Sequence, residues 1–127
     1  TFQTLAAKFF NSQAINEPVV KQELKAKKII SRNNKWAKER SKVISEYIVS
    51  EMLMNKKQAT YLEQVLYEKY ARNNELTATK DLTKDEVQII YRETYSITSK
   101  ELLHKFTKKQ FEKITELEKE KMKELRN

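Results

Sequence analysis

The sequence predicts an all-α fold on three observations: the chain has no glycine, it has one proline, and its apolar residues recur at three- and four-residue intervals. Tight hairpins and left-handed turns lean on Gly and Pro, so β-rich and α/β architectures lack their usual turn residues here. Apolar side chains at i, i+3, i+4 and i+7 line one side of an amphipathic helix. The 127 residues correspond to a single helical domain, 1–127. The expected architecture is about five helices, one of them long and basic, in an open bundle or hairpin array.

Phe2, Leu5, Phe9 and Phe10 mark a short first helix. Asn16 is placed to cap a second, because Pro18 falls in the first turn, where its missing N–H removes no bond. From Ile29 and Ile30 the apolar phase continues through Trp36/Ala37, Val43/Ile44, Tyr47/Ile48 and Met52. That continuity favours one long helix from about Pro18 to Leu53 over two, with Asn33-Asn34 as the place where it could break. Ala59, Leu62, Val65, Leu66 and Tyr70 define a helix to about Arg72, and the stretch 73–81, without periodicity, reads as a loop. Val87, Ile90, Tyr91, Thr94, Ile97 and Leu102 define the next helix. Phe111, Ile114, Leu117, Lys121, Met122 and Leu125 define the last.

One local pattern occurs three times: Met54-Asn55-Lys56-Lys57-Gln58, Leu82-Thr83-Lys84-Asp85-Glu86 and Phe106-Thr107-Lys108-Lys109-Gln110. Each is the pattern of a capping box. The Asn55, Thr83 or Thr107 side chain accepts from a backbone N–H three residues on, while Gln58, Glu86 or Gln110 reaches back to the cap's own N–H. Leu82 and Phe106 precede their caps and are spaced to pack on Val87 and Phe111 as hydrophobic staples.

In a basic helical chain without Gly or Cys, these motifs also resemble the LTxxQ motifs of the Spy/CpxP family of periplasmic proteins. The first copy has Met-Asn in place of Leu-Thr, the second ends in Glu86, and the third begins with Phe106. The resemblance implies a small helical protein, often a cradle-shaped homodimer, that holds unfolded or acidic protein clients without ATP in the periplasm or outside the cell. A chain that opens at Thr1 instead of Met fits a product whose signal peptide has been removed. Without that export, a cytoplasmic location is the alternative.

Charge supplies independent evidence. The formal net charge is +8, and most of it lies between Lys21 and Lys42. There Lys21, Lys25, Lys27, Lys28, Arg32, Lys35, Lys38, Arg40 and Lys42 face only Glu23 and Glu39. Such a cluster makes a field that steers an acidic partner, and these residues are the candidate client-binding cations. Tyr61, Tyr67 and Tyr95 sit beside their apolar stripes and join them as surface candidates. Tyr47, Tyr70 and Tyr91 fall on the stripes and are expected in the core, with Trp36 as a packing anchor.

Little points to catalysis or to a cofactor. His104 is the sole imidazole and there is no Cys, so neither a Cys/His metal cage nor a thiol nucleophile is available. A phosphate-cradling glycine loop cannot form without glycine. Glu112, Glu116, Glu120 and Glu124, interleaved with lysines, read as solvated ion-pair partners. The expected function is non-enzymatic client binding through a basic amphipathic surface. The alternative is a nucleic-acid-associated protein that contacts phosphates without sequence preference.

Overall fold

A computed structural model describes residues 31–126, in which every regular element is helical: α1 Lys35–Met52, α2 Lys56–Thr77, α3 Lys84–Lys105 and α4 Lys108–Arg126. The all-α expectation holds. The described helices number four instead of about five, and the expected helix at Phe2 to Phe10 lies outside the described residues. Helix α2 packs along α1 on one side and α3 on the other, while α4 lies chiefly against α1.

The expectation of one helix through Asn33-Asn34 is corrected. Residues 31–34 form a turn, and Asn34, with an extended backbone, caps α1 by accepting the Ala37 N–H at 3.0 Å. Asparagine competes with helix continuation because its side chain offers the backbone a local acceptor. An apolar phase can therefore run unbroken through a helix start. The turn is tied to the end of α2. Tyr67 Oη donates to the Ser31 carbonyl and accepts from the Asn34 N–H, and the Glu75 carboxylate accepts the Ser31 N–H at 3.0 Å. Asn34 also donates its side-chain amide to Asn74. These ties involve residues assigned by sequence to a loop, and α2 continues to Thr77 instead of ending near Arg72.

All three capping boxes are closed. Gln58, Glu86 and Gln110 N–H groups donate to Asn55, Thr83 and Thr107 at 2.9, 3.1 and 3.1 Å, and the reciprocal bonds measure 3.1, 3.0 and 2.9 Å. Phe106 is buried and shares the main core with Phe111, as its staple role requires. Leu82 instead joins Leu76, Ile89 and Ile90 in a second, smaller cluster.

The main core gathers Ile44 and Ile48 from α1, Leu62, Val65 and Leu66 from α2, Leu102 from α3, and Ile114 and Leu117 from α4. Ala37, Ser41 and Ser45, at i, i+4 and i+8, are also buried, and each serine hydroxyl donates to a carbonyl three residues back. Small side chains in this row let a neighbouring helix approach α1 closely. Between the two clusters the α2–α3 seam is polar: Arg72 is buried and donates Nε to the Thr94 hydroxyl at 3.0 Å.

Candidate functional site

An open groove of about 1160 Å³ lies between the first turns of α1, the C-terminal half of α2 and the C-terminal half of α4. Helix α1 contributes Trp36 and Arg40, one turn apart. From α2 come Lys69, Tyr70, Asn73, Asn74 and Thr77, and from α3 Tyr91. Helix α4 supplies Thr115, Glu118, Met122 and the row Lys119, Lys123, Arg126.

The floor of the groove is a polar knot. The Glu118 carboxylate accepts from Lys69 Nζ at 2.9 and 3.0 Å and from the Tyr70 hydroxyl at 2.6 Å. Burial of the Tyr70 ring, then the Glu118 charge beside it, holds the phenol well above its ordinary 10.0, so Tyr70 remains a neutral donor. Above it, Trp36 meets the Tyr70 ring edge to face with centroids 6.3 Å apart, and the Arg40 guanidinium lies 5.2 Å over the indole. Lys69 neutralises Glu118. Arg40, Lys119, Lys123 and Arg126 form no salt bridge among the described residues, so the groove carries a surplus of positive charge beside apolar and aromatic area.

The residues singled out by sequence distribute as follows. Lys21, Lys25, Lys27 and Lys28 lie outside the described residues. Arg32 is exposed in the turn before α1. Lys35, Lys38 and Lys42 are exposed along one outward row of α1, and Arg40 alone turns into the groove. Tyr95 is exposed, as expected. Tyr61 and Tyr67 are half-buried against the core, and their hydroxyls donate to the carbonyls of Glu101 and Ser31. Both are thus tied into the fold more than offered to solvent. Burial, and then the Glu101 charge, raises the Tyr61 phenol above its ordinary value.

Two core expectations are corrected. Trp36 and Tyr91 are each 45 % exposed, because the buried rows of their helices pass beside them through Ala37, Ser41 and Ser45 in α1 and Ile90, Thr94 and Thr98 in α3. In the last helix, Lys113–Glu116 and Lys121–Glu124 are ion pairs as read from sequence. Glu120 instead accepts from the Tyr47 hydroxyl at 3.1 Å, and this bond is the main cause of the raised Tyr47 phenol.

Sequence reasoning missed Lys69 and the row Lys119, Lys123, Arg126. The row was legible as cations at i, i+4 and i+7 flanking the apolar Met122, but Lys119 and Lys123 read as ion-pair partners of neighbouring glutamates. Among the described residues no group of three or more His, Cys, Asp or Glu could hold a metal ion, and no helix is long and apolar enough to cross a membrane. Compared with protein families, with curated proteins and with solved structures, the chain matches none.

Proposed function

We propose that this is a non-enzymatic, chaperone-like binding protein that holds acidic, non-native stretches of other proteins without ATP, in the cell envelope. The observation that carries the reading is the α1–α2–α4 groove, where Arg40, Lys119, Lys123 and Arg126 stand around half-exposed Trp36 and Tyr91. Positive charge draws an acidic chain in and sets the association rate. Exposed aromatic area then holds the apolar side chains that a non-native client displays. The outward row Lys35, Lys38 and Lys42 extends the field along α1 and adds steering without contact.

The test is light scattering from a denatured acidic protein and a denatured basic one, each with and without the purified chain. Suppression for the acidic client, reduced in about 1 M salt where screening acts within about 3 Å, is the expected result. Equal protection of both clients, or of neither, removes the reading.

A further inference from the structure

We infer that the occupant of the groove is an amphipathic α-helix with an acidic face, lying alongside α4; the inference rests on the protein-binding reading above and specifies its geometry. Three observations lead there.

First, the walls are helices whose backbone groups are bonded internally, so the groove offers no free strand edge. Extending a sheet is therefore unavailable as a way of binding a peptide, whereas a helix laid in a groove is a mode that helical walls support. Second, the volume is sufficient. A helix about 10 Å across occupies roughly 80 Å² in section, so a groove of about 1160 Å³ takes about 15 Å of it, or roughly ten residues.

Third, the cations have helical periodicity. Lys119, Lys123 and Arg126 follow i, i+4, i+7 on α4, which spans about 10 Å of axis. Carboxylates at the same spacing on a neighbouring helix rise by the same increments, so three charges meet three charges. Arg40 stands across the groove on α1, and Trp36, Tyr91 and Met122 receive the apolar flank.

The same features disfavour a nucleic acid strand. Binding of single strands relies on successive bases stacking on open aromatic rings. Here Arg40 covers one face of Trp36, and Tyr70 is buried with its hydroxyl on Glu118. Tyr91 is then the one exposed groove ring without an aromatic or cation partner among the described residues.

The chain carries its own reporter, since Trp36 is its only tryptophan. The probe is a synthetic amphipathic peptide of about 14 residues, close to four turns, with Glu at i, i+4, i+7 and i+11 beside a leucine stripe. A matched peptide with Lys for Glu and an oligothymidylate serve as comparisons. The acidic peptide should shift Trp36 emission saturably and gain helical circular dichroism on binding, while the basic peptide does neither. The double variant Lys119→Glu/Lys123→Glu should weaken the acidic peptide by about tenfold or more. Lys56→Glu/Lys57→Glu, an equal charge change at the start of α2 and away from the groove, should alter it by about twofold at most.

All four substituted lysines are exposed, and unchanged melting of both variants verifies that the fold is intact. Should the reversal on α4 unfold the chain, Lys119→Gln/Lys123→Gln replaces it with the same expected direction. Equal weakening by the two double variants, no saturable Trp36 response to the acidic peptide, or an oligothymidylate that binds as tightly would overturn the inference. Client protection that survives the α4 reversal would overturn it while leaving the chaperone-like reading standing. Peptide binding without client protection would do the opposite.

Discussion

The two ends of the helical array are built from the same four helices and finished in opposite ways. At one end the chain turns tightly, through residues 53–55 between α1 and α2 and residues 106–107 between α3 and α4. Two capping boxes close it, and Phe106, 4 % exposed, plugs it with Tyr61 packed at 6.2 Å. At the other end a six-residue connection, 78–83, joins α2 to α3, and the large rings Trp36 and Tyr91 stay half in solvent. The Asn34 cap, the Thr83 capping box and the ties of Tyr67, Asn74 and Glu75 to residues 31–34 hold its backbone, and Glu118 takes Lys69 and Tyr70. Yet a row of cations stays exposed beside the groove. One end is thus finished for stability, while the other leaves aromatic surface and positive charge open, an arrangement that suits binding.

Aromatic truncation breaks the comparison most sharply. Phe106→Ala removes a buried ring from the plugged end and should cost about 3–4 kcal/mol of unfolding free energy. Trp36→Ala removes a larger side chain, but one already 45 % exposed, and should cost about 1 kcal/mol while abolishing peptide capture. Urea denaturation of the two variants decides it. Similar losses would mean that the open end is as much a part of the core as the closed one.

A second prediction concerns the polar floor of the groove. Tyr70→Phe keeps the ring but deletes the donor to Glu118, and should cost about 1–2 kcal/mol at neutral pH. The folded phenol titrates well above its ordinary 10.0, so above pH 10 the native state holds a proton that the unfolded chain releases. Stability that Tyr70 contributes is therefore full below about pH 10 and declines as pH rises, by up to about 1.4 kcal/mol per pH unit. The variant lacks that contribution, so the stability gap between the two proteins should narrow from about pH 10 upward. Parallel pH profiles would show that the Tyr70 hydroxyl does not feel its surroundings in this way.

How much of this was legible in the sequence follows from what each signal measures. The capping boxes were readable to the atom, because their chemistry is local: two side chains and two amides within four residues. Helix identity was equally local. The break at Asn33-Asn34 was legible only as an alternative, because an N-cap and a solvent-facing asparagine look alike until Tyr67 and Asn74 supply partners from α2. Burial of Ser41, Ser45 and Thr98 was hidden because hydropathy ranks by polarity, whereas these hydroxyl-bearing residues occupy positions where small volume is what the packing needs. For the same reason Trp36 and Tyr91, conspicuous by hydropathy, were misplaced in the core. The groove joins residues from all four helices, and no one-dimensional pattern encodes which flanks will face each other.

The smallest effect tests what the closed end gives up for its tight turn. Leu53 follows the last turn of α1 with φ 53° and ψ 49°, and its N–H and that of Met54 both reach back to the Val49 carbonyl. This left-handed position usually belongs to glycine, because a side chain there crowds the following carbonyl at a cost of roughly 1 kcal/mol. In a chain without glycine, leucine holds it, and the side chain is 89 % exposed, so little burial offsets the strain. Leu53→Gly should therefore stabilise the protein, but by less than the full relief, because glycine also gives the unfolded chain more freedom. The expected net gain is about 0.5 kcal/mol, read as a small rise in melting temperature with Trp36-detected peptide binding unchanged. Leu53→Ala separates the two contributions: it keeps the left-handed strain and removes only the exposed side chain, so it should leave the melting temperature where it is. A loss of stability in Leu53→Gly would mean that the leucine side chain packs against something at the closed end, and that the turn is held by contact as well as by its two bonds to Val49.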